Sequence, residues 1–321
     1  MAEHDRGAAA APARHGPRAA DAPDAHVARG DAPGAFDRDT ALNPITVEPG
    51  PDRAGSGVSF AAQLAPDWCI NGRPHGGYMA AILLRALTHA LDEPDRAPRS
   101  LTIHYARPPS HGPVRIYTAT QRMGGSLSTL SARMEQGGEL VALALCAFSL
   151  ARASLEVAEL PMPDVAGADP ARRSDEQVSA RIERGHAPAF MRKLVLQPRG
   201  GATPFAGSDQ PLESCAWLGL AEAARPLDAV ALALFSDAHF PTPFARLTQP
   251  AGAPTIDLTV HFRAADALRR HADTDDLCLT RFRSRVIHEG FFEEDGVIWG
   301  ADGTVLAQSR QLALLLAREP G

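Results

Sequence analysis

Leu101-Thr102-Ile103-His104-Tyr105 and Leu258-Thr259-Val260-His261-Phe262 are two copies of one pattern, one in each half of the chain. Each copy alternates apolar and polar-capable residues, as a strand with one buried face does. Each follows a stretch with apolar residues at helical spacing. Before the first copy these are Met79, Ile82, Leu83, Ala86, Leu87, Ala90 and Leu91; before the second, Leu227, Val230, Ala231, Leu234, Phe235 and Ala238. Pro94 and Pro241 stand just beyond the two stretches, where a proline ends a helix.

Each copy is followed by further strand-like segments, at 114–122, 126–135 and 139–150 in the first half and 276–287, 290–299 and 304–316 in the second. Gln136-Gly137-Gly138 and Ala301-Asp302-Gly303 stand before the last segment of each half, as hairpin turns require. Five matching residues alone are weak. A match with a helix before it and a glycine hairpin after it, in both halves, marks an internal duplication. The expected fold is α+β, a tandem pair in which each half wraps an antiparallel sheet around one long helix. The expected boundaries are a disordered tail over 1–34, an N-terminal domain over 35–152, a linker over 153–188 and a C-terminal domain over 189–318. The tail and linker are rich in Pro, Asp and Arg and lack periodicity.

The length of 321 residues suits about two domains, and 45% hydrophobic with 22% charged residues suits a globular chain. A net charge of −6 speaks against a nucleic-acid surface, which needs a clustered cationic face. Lys193 is the only lysine, and arginine, whose planar fork suits phosphates and carboxylates, supplies the other basic side chains. Cys69, Cys146, Cys215 and Cys278 are scattered, which suggests neither a disulfide framework nor a metal site; no cofactor motif appears. A reduced cytoplasmic setting follows. No segment has the run of about 20 apolar residues that a membrane span needs, and the first residues do not read as a secretory signal.

Chemistry is suggested at four places. Pro74-His75-Gly76-Gly77-Tyr78 opens the first helical stretch. Glycines at a helix start let a ligand oxygen approach unpaired N–H groups, so His75, Gly76 and Gly77 could bind substrate and polarise a carbonyl. The bland reading is tight helix–sheet packing. Asp237, near the end of the second helical stretch, borders its apolar arc, where neither the helix dipole nor burial favours a carboxylate. There it suits a general base; otherwise it is a solvated acid on a helix flank. Thr255 opens the second repeat strand, and Gln311 lies in the last strand on the side of Ser309 and Ala313. A glutamine there needs a hydrogen-bond partner, which could equally be structural.

Taken together, the helix-borne Ser236-Asp237, the strand Thr255-Ile256-Asp257 leading to His261-Phe262-Arg263, and Gln311 after Val305-Leu306-Ala307 resemble the second half of bacterial acyl-CoA thioesterase II proteins. Pro74-His75-Gly76-Gly77-Tyr78 and Arg122-Met123-Gly124-Gly125 are similar to other thioesterase-like hotdog domains. The resemblance runs over about residues 35–318. It implies a double hotdog fold, an acyl-CoA substrate, a role in lipid metabolism, and a water held by Asp237, Thr255 and Gln311. It leaves homo-oligomerisation open. One departure is Ala238-His239-Phe240-Pro241 after the acid, which differs from the best-known members.

The duplication adds an argument of its own. Laying the last strands together sets Cys146 opposite Gln311, and laying the repeat strands together sets Pro98 opposite Thr255. The polar trio is thus confined to the second half and the Gly-Gly helix start to the first, which implies one composite site per chain. His104 and His261 recur in both halves and so read as structural. Two rivals remain: a hotdog hydratase or dehydratase, which would pair an Asp with a His about five positions away, and a non-catalytic acyl-thioester-binding protein.

Overall fold

The computed structural model describes residues 34–46, 57–169, 171, 176–184, 187–222, 225–263 and 277–316. The expected tail, apart from Gly34, lies outside them. In the first half come α1 (Ala35–Asp39), β1 (Asn43–Ile45), β2 (Ser59–Leu64), a small hairpin of β3 (Cys69–Ile70) and β4 (Arg73–Pro74), and α2 (Gly76–Leu91). The meander β5 (Ala97–Tyr105), β6 (Gly112–Arg122), β7 (Leu127–Gln136) and β8 (Glu139–Ser149) follows. After α3 (Glu176–Glu183), the second half has β9 (Leu194–Gly201), β10 (Glu213–Leu220), α4 (Ala229–Phe235) and β11 (Thr255–Phe262). It closes with β12 (Leu277–Arg283), β13 (Ile287–His288), β14 (Phe291–Trp299) and β15 (Val305–Leu314).

The strands other than β3 and β4 form one sheet in the order β1-β2-β6-β7-β8-β5-β11-β15-β14-β12-β10-β9, with β13 beside β14. All pairings are antiparallel. The two repeat strands, β5 and β11, pair with each other at the middle, with Thr102 directly opposite Thr259 and their hydroxyls 3.1 Å apart. Outward from that pair, β8-β7-β6-β2 on one side mirrors β15-β14-β12-β10 on the other. The halves are therefore related by a pseudo-two-fold axis through equivalent threonines. The repeat also carries matched bulges: register shifts fall between Pro98 and Ser100 and between Thr255 and Asp257.

Both main helices lie on one face of the sheet and pack against each other. In α2 nearly every side chain from Tyr78 to Leu87 is buried, so the helix is apolar all round and serves as a core element. Its core runs without a break into α4 and the inward residues of both halves. α2 ends at Leu91, with Asp92 in the left-handed conformation as its C-cap.

Two differences from the sequence reading have physical causes. The second helical stretch predicts a helix through Ala238, but α4 stops at Phe235 after seven residues. Ser236 Oγ bonds back to the Leu232 carbonyl, and Asp237 and Ala238 make tighter i→i−3 bonds, so the chain leaves the helix there. The expected linker is more than a tether. Leu160, Met162, Val165 and Ala168 pack against Val195, Trp217, Leu279 and Trp299, on the sheet face turned away from the helices. The indoles of Trp217 and Trp299 donate to the carbonyls of Ala166 and Leu160. The segment is thus a strap covering the outer face of the second-half sheet. Its sparse apolar residues have no single period, so their burial could not be read from the pattern.

Candidate functional site

The start of α2 meets the end of α4. His75 is the N-cap of α2, and its Nδ1 accepts from the Tyr78 N–H at 3.2 Å. Its proton therefore sits on Nε2, which donates to the Asp237 carbonyl at 2.7 Å. The ring stacks on Phe190 at 4.5 Å, fixing its plane. Gly77 N–H donates to Asp237 Oδ2 at 2.8 Å. A Cβ on Gly77 would press into the Leu234 carbonyl oxygen, and one on Gly76 would stand 2.8 Å from Asp237 Oδ2. The two glycines thus permit a close approach that no side chain would allow. The close packing is against the end of α4 rather than against the sheet, and what it brings to the helix start is the carboxylate of Asp237.

Asp237 lies just past the C-terminus of α4, where carbonyl dipoles oppose a negative charge. The N-terminus of α2 offsets this, offering an N–H group and the positive end of a second dipole. Its side chain is only 15% exposed, and its Oδ2 is 3.4 Å from His75 Nε2. Burial raises its pKa, while His75, the Gly77 N–H and the Gln311 side chain pull the other way; burial prevails. The half-buried Tyr105 stands nearby and its phenol donates to the Gly76 carbonyl at 2.9 Å, with burial of the hydroxyl and Asp237 both raising its pKa.

Thr255 and Gln311 arrive from neighbouring strands. Simple alternation back from the buried Leu258 would turn Thr255 to the outer face. The bulge at Ile256 resets the count, so Thr255 pairs with Ala313 while Leu258 pairs with Gln311. Thr255 Oγ1 then donates to Gln311 Oε1 at 2.9 Å. The Gln311 amide reaches Asp237 as well, and donates through Nε2 to Glu294 Oε2 at 3.1 Å. Asp237, Thr255 and Gln311 therefore converge, with His75, Gly76 and Gly77 on the other side of the carboxylate.

Glu294 escaped the sequence reading. It is 3% exposed and lies directly across from Gln311 on β14. Its Oε1 accepts from the Thr242 N–H and hydroxyl, both at 2.8 Å, and burial pushes its pKa up to about 7. The available signal was parity: in Phe291–Trp299, Glu294 alternates with the inward Phe292, Gly296 and Ile298, unlike Glu293 and Asp295.

The remaining candidates are accounted for locally. His104 and His261 are exposed strand residues. His239 does not pair with Asp237: its Nδ1 bonds Ser214 Oγ at 2.9 Å and its Nε2 bonds Thr280 Oγ1 at 2.8 Å. Burial depresses its pKa to about 4, so it is neutral at physiological pH. Cys146, which replaces Gln311 in the first half, pairs with Leu101 and Leu130 and is fully buried. All four cysteines are free thiols. Among the described residues, no helix is long and apolar enough to cross a membrane.

Two α+β units joined edge to edge, with helices packed on a shared antiparallel sheet, define a tandem hotdog protein. Residues 64–149 match the acyl-CoA thioesterase N-terminal domain and residues 163–315 the acyl-CoA thioesterase C-terminal domain, so the chain belongs to the acyl-CoA thioesterase family. A hotdog-fold protein of unknown function from Alicyclobacillus acidocaldarius is 27% identical, with a TM-score of 0.73 over 89% of this chain and 100% of that one. An acyl-CoA thioesterase II from Mycobacterium marinum shares the fold at 17% identity and a TM-score of 0.62, covering 89% and 99%. An uncharacterised protein of Mycobacterium tuberculosis is 24% identical over 87% of this chain and 97% of its own length.

Proposed function

We propose that the protein hydrolyses acyl-CoA thioesters to a free acid and CoA, using a water activated by Asp237 and oriented by Thr255 and Gln311. The observation that carries this reading is that Gln311 accepts from Thr255 at 2.9 Å and stands close enough to Asp237 to pull its pKa down, at the positions where the family resemblance sets a water-holding trio. Burial raises the pKa of Asp237, which makes its carboxylate a stronger base than an exposed one. The water oxygen attacks the thioester carbonyl carbon as its proton passes to Asp237. The tetrahedral intermediate then collapses, the C–S bond breaks, and the departing thiolate takes that proton. No side chain in the trio is an activated Ser or Cys nucleophile, so no acyl-enzyme forms.

The developing oxyanion needs donors. At the start of α2, the N–H groups of Gly77, Tyr78 and Met79 are engaged by Asp237 and His75. The Gly76 N–H is the candidate of that turn for polarising the carbonyl. Domain limits of 35–152 and 189–318 fit this division of labour, each half supplying one side of a composite site. Free-thiol release across a panel of acyl-CoA esters tests the reading. Release that Asp237→Asn abolishes supports it. Binding of acyl-CoA with no release would favour a non-catalytic acyl-thioester-binding protein.

A further inference from the structure

We propose that Glu294 is a positioning residue for the same reaction: its carboxylate, held at one oxygen by Thr242, fixes which way the Gln311 amide points toward Thr255 and Asp237. The inference rests on the hydrolytic reading for its kinetic consequence, though its geometry does not depend on it.

An amide can face its surroundings in two orientations, and its neighbours decide between them. Thr255 has a hydroxyl that can donate or accept, so it cannot choose for Gln311. Glu294 can. Its Oε1 is occupied by two donors, the N–H and hydroxyl of Thr242. Because the Thr242 hydroxyl spends its only proton there, it accepts from Ser284 Oγ at 2.8 Å. Thr242 and Ser284 are both buried, so this chain of bonds is shielded from water. The carboxylate is anchored, and its Oε2 faces Gln311 Nε2 as an acceptor.

An acceptor at that place demands the NH2 end of the amide. The amide oxygen then turns to the Thr255 hydroxyl, and the second N–H is available to Asp237. A proton on Oε2 would reverse the demand, inviting the amide oxygen and turning the NH2 end toward Thr255. The orientation of the trio is thus set by the charge state of a group that need not touch substrate. Asp237 is the charged group acting on Glu294; Thr242, Ser284 and Gln311, which face it from the neighbouring segments, are neutral. Burial with a negative neighbour raises the carboxyl's pKa to about 7, which puts the switch within reach of a pH experiment.

Glu294→Gln is nearly isosteric and mimics the protonated state permanently. In the full-length protein it should lower kcat at pH 8 by about tenfold or more while moving KM less than about twofold, because it misorients the water-holding amide without blocking binding. The parent's kcat should fall on the acid side through about pH 7, and the variant's should lose that limb. A second measurement stands apart from activity and from the variant's folding: the Gln311 side-chain NH2 signals of the 15N-labelled parent should shift between pH 5 and 9. Parent signals that stay fixed across that range would overturn the proposal, as would a folded Glu294→Gln with the parent's kcat and pH profile. If the parent hydrolyses no thioester at all, the hydrolytic reading falls and the NH2 signals still decide this one.

Discussion

Replacing Gly76 by alanine tests the close approach of the two helices at the carboxylate itself. The added methyl would stand 2.8 Å from Asp237 Oδ2 and 3.6 Å from the Tyr105 ring. A carbon and an oxygen in ordinary contact sit at roughly 3.3 Å, so about 0.5 Å must be found. The obstacle is the end of a side chain, so Asp237 can yield by rotating away. That rotation would loosen the Gly77 N–H bond and the reach to Gln311. Catalytic groups are sensitive at this scale, with a misplacement of about 1 Å costing up to about a hundredfold in rate. The expected result is a fall in kcat of about ten- to a hundredfold. Stability should change by no more than about 1 kcal/mol, since alanine's better helix propensity offsets the contact. Gly77→Ala supplies the contrast, because its methyl meets the backbone carbonyl of Leu234, which cannot rotate away. It should destabilise by about 1–3 kcal/mol, the usual range for forced overpacking. The measurements are thiol release for kcat and urea unfolding for stability. A Gly76→Ala protein with parental kcat would refute the idea that Asp237's position at this helix start matters.

Asp237→Asn keeps the shape but removes the base, so kcat should drop by about 10²–10⁴ with substrate affinity largely kept. Parental turnover, or a trapped acyl-enzyme seen by mass spectrometry, would contradict the mechanism. Thr255→Val and Gln311→Ala should each lose less and combine less than additively, since both serve one water; a fully additive double mutant would separate them. The stability–pH profile has a worked sign. Glu294 has its folded pKa raised, so its share of stability is full below the unfolded value and lost as pH rises toward about 7. His239, lowered to about 4, does the opposite, adding stability as pH rises from about 4 to its unfolded value near 6.5. Each amounts to about 3 kcal/mol, so the two slopes oppose one another through the mildly acidic range. The stability of the parent minus that of Glu294→Gln should therefore fall by about 3 kcal/mol between pH 4.5 and 8 in urea titrations. A pH-independent difference would count against the buried Glu294 ionisation.

How much of this was legible in the sequence depended on whether the cause was local. The repeat strands at Leu101 and Leu258 showed their kinship directly, because alternation and flanking turns are nearest-neighbour properties. Gln311 was visible as an amide on an inward parity. The facing of Thr255 was not: counting back from Leu258 turns it outward, and only the bulge at Ile256 turns it in. The family resemblance supplied Thr255 where alternation alone could not. Asp237 was found, but on a helix that ends before it, since the stretch through Ala238 gives no sign of the Ser236 back-bond. Glu294 sat in an inward position of a strand read correctly, hidden between two acids that face out.

The direct pairing of Thr102 with Thr259 bears on what either half could be alone. Cut between the halves, each fragment would expose a long edge strand with its hydrogen-bonding groups unfilled. Because the paired residues are equivalents, such an edge is complementary to a copy of itself. Two first-half fragments could meet in the same register, Thr102 against Thr102, as an isologous dimer. The join that makes this chain one body is thus also a subunit interface written into a single polypeptide. Covalent fusion freed each side to change without the other, leaving a carboxylate on one face of the join and a glycine helix start on the other.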